Sequence, residues 1–313
     1  MRNAISFELK ATRTAIALTL CAGAFLSEVA TAQQAAGSAA DWSAVDQALG
    51  RKGAAQPGNV MKYSFPRSDL QVNANGVQLK PAFALGSWVA FKKANGVNAT
   101  AMGDLVLVEG EVGAVMQALQ AGGVEQTALH NHLLMESPRV MYMHIMAHGD
   151  AAKIAATIRS ALGQTATPME PPAPSTPAAI ELDTAAIART LGAAGKVNGG
   201  VYQVTVPRRD RVTDHGMEVP ASMGVATAIN FQPTGGGKAA ITGDFVMIAG
   251  EVNRVIRALQ AGGIQPTALH SHMLTETPRL FFMHFWANDD AMKLAMALRS
   301  ALDQMAVKRA ATR

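Results

Sequence analysis

The chain has 313 residues, of which 49% are apolar and 16% charged, and its formal net charge is +4. That length suits two domains that each bury a core, and that composition excludes a disordered chain. The basic excess is mild and holds no long Lys/Arg run, which excludes a phosphate-tracking nucleic-acid surface.

Arg2, Lys10 and Arg13 precede the apolar run AIALTLCAGAFL (15–26), and ATA (30–32) puts small residues at a cleavage position. Residues 1–32 are therefore expected to be a secretory signal peptide, which predicts a periplasmic or secreted protein. The run is too short to cross a bilayer comfortably, so no membrane span is expected in the mature chain. The single cysteine, Cys21, falls in this segment behind Leu20, where a lipoprotein signal would carry a small residue. A mature chain without thiols has no disulfide, no cysteine nucleophile and no thiolate ligand.

The remainder is a duplication. GDLVLVEGEVGAVMQALQAGGVEQTALHNH (103–132) aligns without gaps to GDFVMIAGEVNRVIRALQAGGIQPTALHSH (243–272), at an offset of 140. FPRSD (65–69) answers VPRRD (206–210). The expected domains are 41–163 and 183–303, joined by a linker at 164–182 that includes TATPMEPPAPSTP.

Each copy opens on a short amphipathic helix, WSAVDQALG or TAAIARTLG. Strands follow at VMKYSFP, GSWVAFKKA, VYQVTVP and ATAINFQP, broken by Asn-Gly or Gly-rich turns. DLVLVEGEV reads as a strand entering a helix over GAVMQALQAGG. DAAKIAATIRSAL is a closing helix, with Asp150, and Asp289 or Asp290, as N-caps. The fold class is α+β: two tandem homologous domains, each an antiparallel sheet with helices packed on one side.

Six of the eight histidines fall in two matching segments, ALHNHLLMESPRVMYMH (128–144) and ALHSHMLTETPRLFFMH (268–284). Read as two strands around a Glu136-Ser137-Pro138 loop, the first segment pairs His132 with Tyr142 and His130 with His144. Alternation then puts His130, His132 and His144 on one face, and His270, His272 and His284 likewise. Three converging imidazoles are the protein part of an open site for a divalent transition metal: Zn, Fe, Mn, Ni or Cu. Whether the two triads lie apart or meet across a pseudo-twofold interface is open. Asn288 stands where the first copy has His148, which argues against His148 as a required ligand.

Glu136 and Glu276 are the catalytic candidates, as a fourth ligand, an imidazole partner or a general base; a solvated turn residue is the competing reading. Arg139 and Arg279 are expected to pair with them. Asp104 and Asp244 read as turn residues before a strand, and Glu111 and Glu251 as helix-start acids, all of secondary rank. The flanking methionines read as core filling.

TALHNHLLMESPRVMYMH and TALHSHMLTETPRLFFMH, with GDLVLVEGEV and ITGDFVMIAGEV before them, resemble the LppY/LpqO family of exported bacterial proteins. The resemblance implies export and a duplicated domain, and it supplies no reaction. Three functions stay open: a metal-dependent enzyme acting on a small molecule, a metal or small-ligand binder without turnover, and an envelope interaction module with no metal. Neither the substrate nor the oligomeric state is legible.

Overall fold

The structure is a computed structural model that describes residues 41–170 and 179–308. The expected signal peptide and the middle of the linker, 171–178, lie outside those residues.

Period-two patterning produces the strands. In Val60–Pro66, Tyr63 and Phe65 share one face and pack beneath helices, whereas Val60 joins a cluster on the other side. The first repeat forms a six-stranded antiparallel sheet. Its order is Ala54–Gln56, Val60–Pro66, Gly86–Lys93, Asn98–Val108, Val140–Asp150 and Glu125–His130. The second repeat builds the same order from Gly195–Asn198, Val201–Pro207, Ala226–Gly235, Lys238–Met247, Phe281–Asp290 and Gln265–His270. In each, the strand carrying the third histidine lies between the strand carrying the aspartate and the strand carrying the first histidine.

Helices cover one face of each sheet. In the first repeat they are Ser43–Leu49, Val112–Ala121 and Ala151–Leu162. Val45, Leu49, Val115, Leu119, Ile154 and Ile158 drive into Phe65, Phe91, Leu105 and Met143. Each such side chain contributes about 1.5–3 kcal/mol on burial, so the apolar stripe holds these short helices more firmly than propensity does. The last helix starts where the Asp150 carboxylate accepts from the Ala152 and Lys153 amides at 3.0 Å. Asp290 does the same for Lys293 at 2.8 Å. Thr184–Leu191, Ala249–Ala261 and Ala291–Leu302 repeat the layer.

The faces without helices meet each other. One cluster joins Val106, Val140 and Tyr142 of the first sheet to Ala240 and Trp286 of the second. Another joins Ala90, Met102 and Met146 to Val246 and Phe282. The layers therefore run helices, sheet, sheet, helices. This explains VMYMHIMA (140–147), which is apolar on both faces because both are covered. Among the described residues no helix is long and apolar enough to cross a membrane.

Two buried arginines lock the strand-to-helix corners. Arg67 bonds Glu111 at 2.7 and 3.0 Å and Asp69 at 2.8 Å, and it donates to the Val106 carbonyl. Arg208 bonds Glu251, Asp210 and the Val246 carbonyl in the same way. The paired FPRSD and VPRRD motifs are thus structural, and Glu111 and Glu251 are held at these corners.

Candidate metal centre

The strand register differs from the sequence expectation by two residues. His130 pairs with Tyr142, and His144 pairs with Ala128, where His130 opposite His144 was expected. The second repeat agrees: His270 pairs with Phe282 and His284 with Ala268. The three-residue loop is the error. Glu136–Ser137 instead pairs with Asn73–Ala74, which lengthens the connection and leaves His132 beyond the strand end. A slip of two preserves the face of every side chain, so the rings still converge.

They converge on one place, between the two sheets. His130 stacks on His270 with centroids 3.6 Å apart, His132 on His284 at 3.6 Å and His144 on His272 at 3.7 Å. Under the 140-residue offset the first pair maps onto itself and the other two exchange. A pseudo-twofold axis accordingly passes between His130 and His270. Tyr142 and Phe282 lie flat against His132 and His272 at 3.2 and 3.5 Å, closing the centre from the sheets.

Asp104 and Asp244 belong to this centre. They are not turn residues: each sits within a strand, paired directly with His144 or His284. Asp104 lies 3.9 Å from His132 Nε2 and 4.0 Å from His144 Nε2, and Asp244 lies 3.1 Å from His272 Nε2. The preceding glycines have a packing reason. A Cβ on Gly103 would sit 2.7 Å from the Trp88 carbonyl oxygen, and one on Gly243 2.0 Å from that of Ala228. The Gly243 carbonyl accepts from His284 Nδ1 at 2.7 Å, and Gly103 bonds the His144 ring likewise. Such bonds fix the tautomer and turn Nε2 toward the centre.

What Nε2 finds there is the telling observation. The Nε2 atoms of His130, His132, His144 and His284 are buried without a hydrogen-bond partner. So are His270 Nδ1 and one carboxylate oxygen each of Asp104 and Asp244. Buried polar atoms are nearly always satisfied, and a cluster of orphans facing one another could be satisfied by a bound cation. Several sets have ligand atoms within 4.8 Å of one another: His130 with His144, His270 and His272; His130 with His132 and His284; Asp104 with His132 and His144; Asp244 with His270 and His284.

Electrostatics agree. Burial holds His132, His144 and His272 well below the ordinary imidazole range, helped by neighbouring rings, and holds His130 and His284 near 4. His270 is lowered for the same reasons. All six are neutral at pH 7, the form that ligates. Burial raises Asp104 to about 8, with the Asp244 charge adding to it, and burial raises Asp244 to about 6.

Glu136 lies in the short strand paired with Asn73–Ala74 and Glu276 in a loop, and neither joins these ligand groups. Glu136 accepts from the Val140 amide at 3.2 Å, and burial lifts it to about 7. Glu276 accepts from the Leu280 amide at 2.8 Å and pairs with Arg279 at 3.3 Å.

Sequence reading passed over Thr127 and Thr267, whose hydroxyls bond across the repeat interface to His272 and His132 carbonyls. Their signal was the TALH identity of the two copies.

The profile of a family described as Domain of Unknown Function (DUF1259) matches residues 43–164 and again 185–304. No curated protein matches the chain. Two solved structures align over most of it. A trimeric bacterial microcompartment shell protein, PduB, is 13% identical over 82% of this chain and 95% of its own, with a TM-score of 0.21. EtuB from Clostridium kluyveri is 11% identical over 80% and 90%, with a TM-score of 0.19.

Proposed function

We propose that this chain, which belongs to the DUF1259 family through matches over both of its repeats, is a metal-binding protein. Its centre is assembled between the repeats from His130, His132, His144, His270, His272 and His284, with Asp104 and Asp244. The observation that carries the reading is the set of buried, unpartnered imidazole nitrogens turned toward one another.

An imidazole-rich set with carboxylate oxygens suits a divalent first-row ion of the Zn, Ni, Cu, Fe or Mn kind. The pseudo-twofold permits one ion on the axis or a pair related by it. One carboxylate stands beside each imidazole set, which favours the pair. The N-terminal charge-and-apolar pattern and the likeness to the exported LppY/LpqO proteins support a periplasmic or secreted location.

Tight holding without turnover fits the geometry best, because the donors are buried and suffice to close a four-ligand shell around each ion of a pair. A catalytic reading has one observation in its favour. The Glu136 carboxyl is lifted to about 7 and its Oε2 is buried without a partner, as a proton carrier's would be. When bound, a divalent ion supplies Lewis acidity. Glu136 would then hold or pass a proton, whereas the Glu276 carboxylate is engaged by Arg279 at 3.3 Å.

Equilibrium dialysis of the stripped protein against Zn2+ tests the proposal. Wild type should take up zinc at neutral pH, and a His144→Asn/His284→Asn variant that keeps its circular dichroism should lose the central uptake. Equal uptake by both would refute it.

A further inference from the structure

The two histidines outside the centre, His148 and His215, come together with Asp214 on another part of the repeat interface. We infer that His148, Asp214 and His215 form a second site for a divalent transition ion, present once per chain and bridging the repeats.

The hairpins make the contrast. NANGVQ (73–78) and TDHGME (213–218) are counterparts, each a two-residue turn with positive φ at its first position, 49° at Asn75 and 45° at His215. Asn-Gly is the ordinary choice for such a turn. The second repeat puts histidine there, a residue less suited to the left-handed region than asparagine.

The neighbouring change is costlier. Ala74 is fully buried among apolar residues, and its counterpart is Asp214, whose side chain is only 2% exposed. One Asp214 oxygen accepts from the Thr275 hydroxyl at 2.7 Å, but Oδ2 is buried with no hydrogen-bond partner, with His215 Nε2 lying 4.0 Å away. A buried carboxylate oxygen left bare costs stability that a methyl group would not. An ion at Oδ2 removes that cost.

The other ligands are in place. His148 approaches from the first repeat, its ring edge-on to His215 with centroids 4.9 Å apart. The Thr100 hydroxyl lies 3.1 Å from His148 Nδ1, which leaves Nε2 to ligate. The three ligand atoms lie within 4.8 Å of one another, and both rings are exposed enough to swing inward. Two imidazoles and a carboxylate, with water completing the shell, suit zinc and its neighbours. At the pseudo-symmetric position stand Asn288, Ala74 and Asn75, which offer no such set. An ion here ties the His148 strand of one repeat to the hairpin of the other.

Zinc titration of the stripped full chain by calorimetry tests the inference. His148→Asn and His215→Asn each install the residue that the sister repeat already carries, so folding is protected. The double variant should lose one zinc equivalent per chain, or bind it at least about ten-fold more weakly. A His144→Asn/His284→Asn chain should keep that equivalent, so this site and the central one can fail separately. Unchanged stoichiometry and affinity in His148→Asn/His215→Asn would overturn the inference, as would loss of the equivalent in both variants.

Discussion

The Thr127 hydroxyl donates to the His272 carbonyl at 2.5 Å, and Thr267 returns the bond to His132 at 2.6 Å. These reciprocal bonds fix each HxH segment by the backbone of its second histidine to the strand of the other repeat. The ligand set of either repeat is therefore positioned by its sister. Thr127→Val and Thr267→Val should each cost about 1 kcal/mol, or somewhat more because a buried carbonyl is left unpaired. Urea denaturation measures the loss, and zinc affinity should fall in the same variants. An unchanged midpoint and affinity would remove the threonines from the account.

The arginine corners carry stability. Arg67 is fully buried against Glu111 and Asp69. Removing the glutamate leaves each arginine its aspartate and a backbone carbonyl, so the loss is that of the charge-assisted hydrogen bonds, about 1.5–3 kcal/mol. Glu111→Ala and Glu251→Ala should each lower the unfolding free energy, read from urea denaturation, by that order. Zinc stoichiometry at temperatures where the variants stay folded should not change.

The metal-free protein should lose stability toward acid from about pH 6.5. The buried histidines have folded values below the ordinary 6.5, near 4 for His130 and His284. Between those limits the unfolded chain binds more protons than the native one, so unfolding free energy falls as pH falls. Asp104 and Asp244 act in the opposite sense, because their folded values lie above the ordinary 3.8. Their stabilising protons are present below 3.8 and are lost as pH rises through about 6 for Asp244 and about 8 for Asp104. Glu136, raised to about 7, acts with the aspartates, and six histidines against these three carboxyls predict a stability maximum near neutrality, with a decline on both sides. Melting temperatures from pH 4 to 9 in chelator test this, and a flat profile would contradict it.

Asp104→Asn separates the two states. The amide keeps shape and removes a buried carboxyl that must otherwise ionise above about pH 8. Stripped Asp104→Asn should match or exceed wild-type stability at pH 9, yet bind zinc about 10–100-fold more weakly. Equal zinc affinity in the variant would show that Asp104 stands outside the ion's surroundings.

Much of this was legible in the chain itself. The 140-residue offset gave two equivalent units, Val60–Pro66 stands where alternation placed it, and Asp150 and Asp290 cap their helices. The histidine face was also legible, because a period of two survives a register slip of two. The register was not, since the pairing of Glu136–Ser137 with Asn73–Ala74 is a contact distant in sequence. Asp104 was misread because glycine before aspartate looks like a turn, whereas Gly103 is there for close strand approach. That the triads share one centre depended on which sheet face met which. The two-sided apolar run Val140–Ala147 was the available clue.

The most direct test of a shared centre is anomalous diffraction from crystals of the protein grown with zinc, recorded on both sides of the zinc edge. Peaks should lie between the sheets, within about 2.0–2.2 Å of imidazole nitrogens contributed by both repeats. A chain that crystallises with the six rings in place and shows no anomalous density among them would contradict the account.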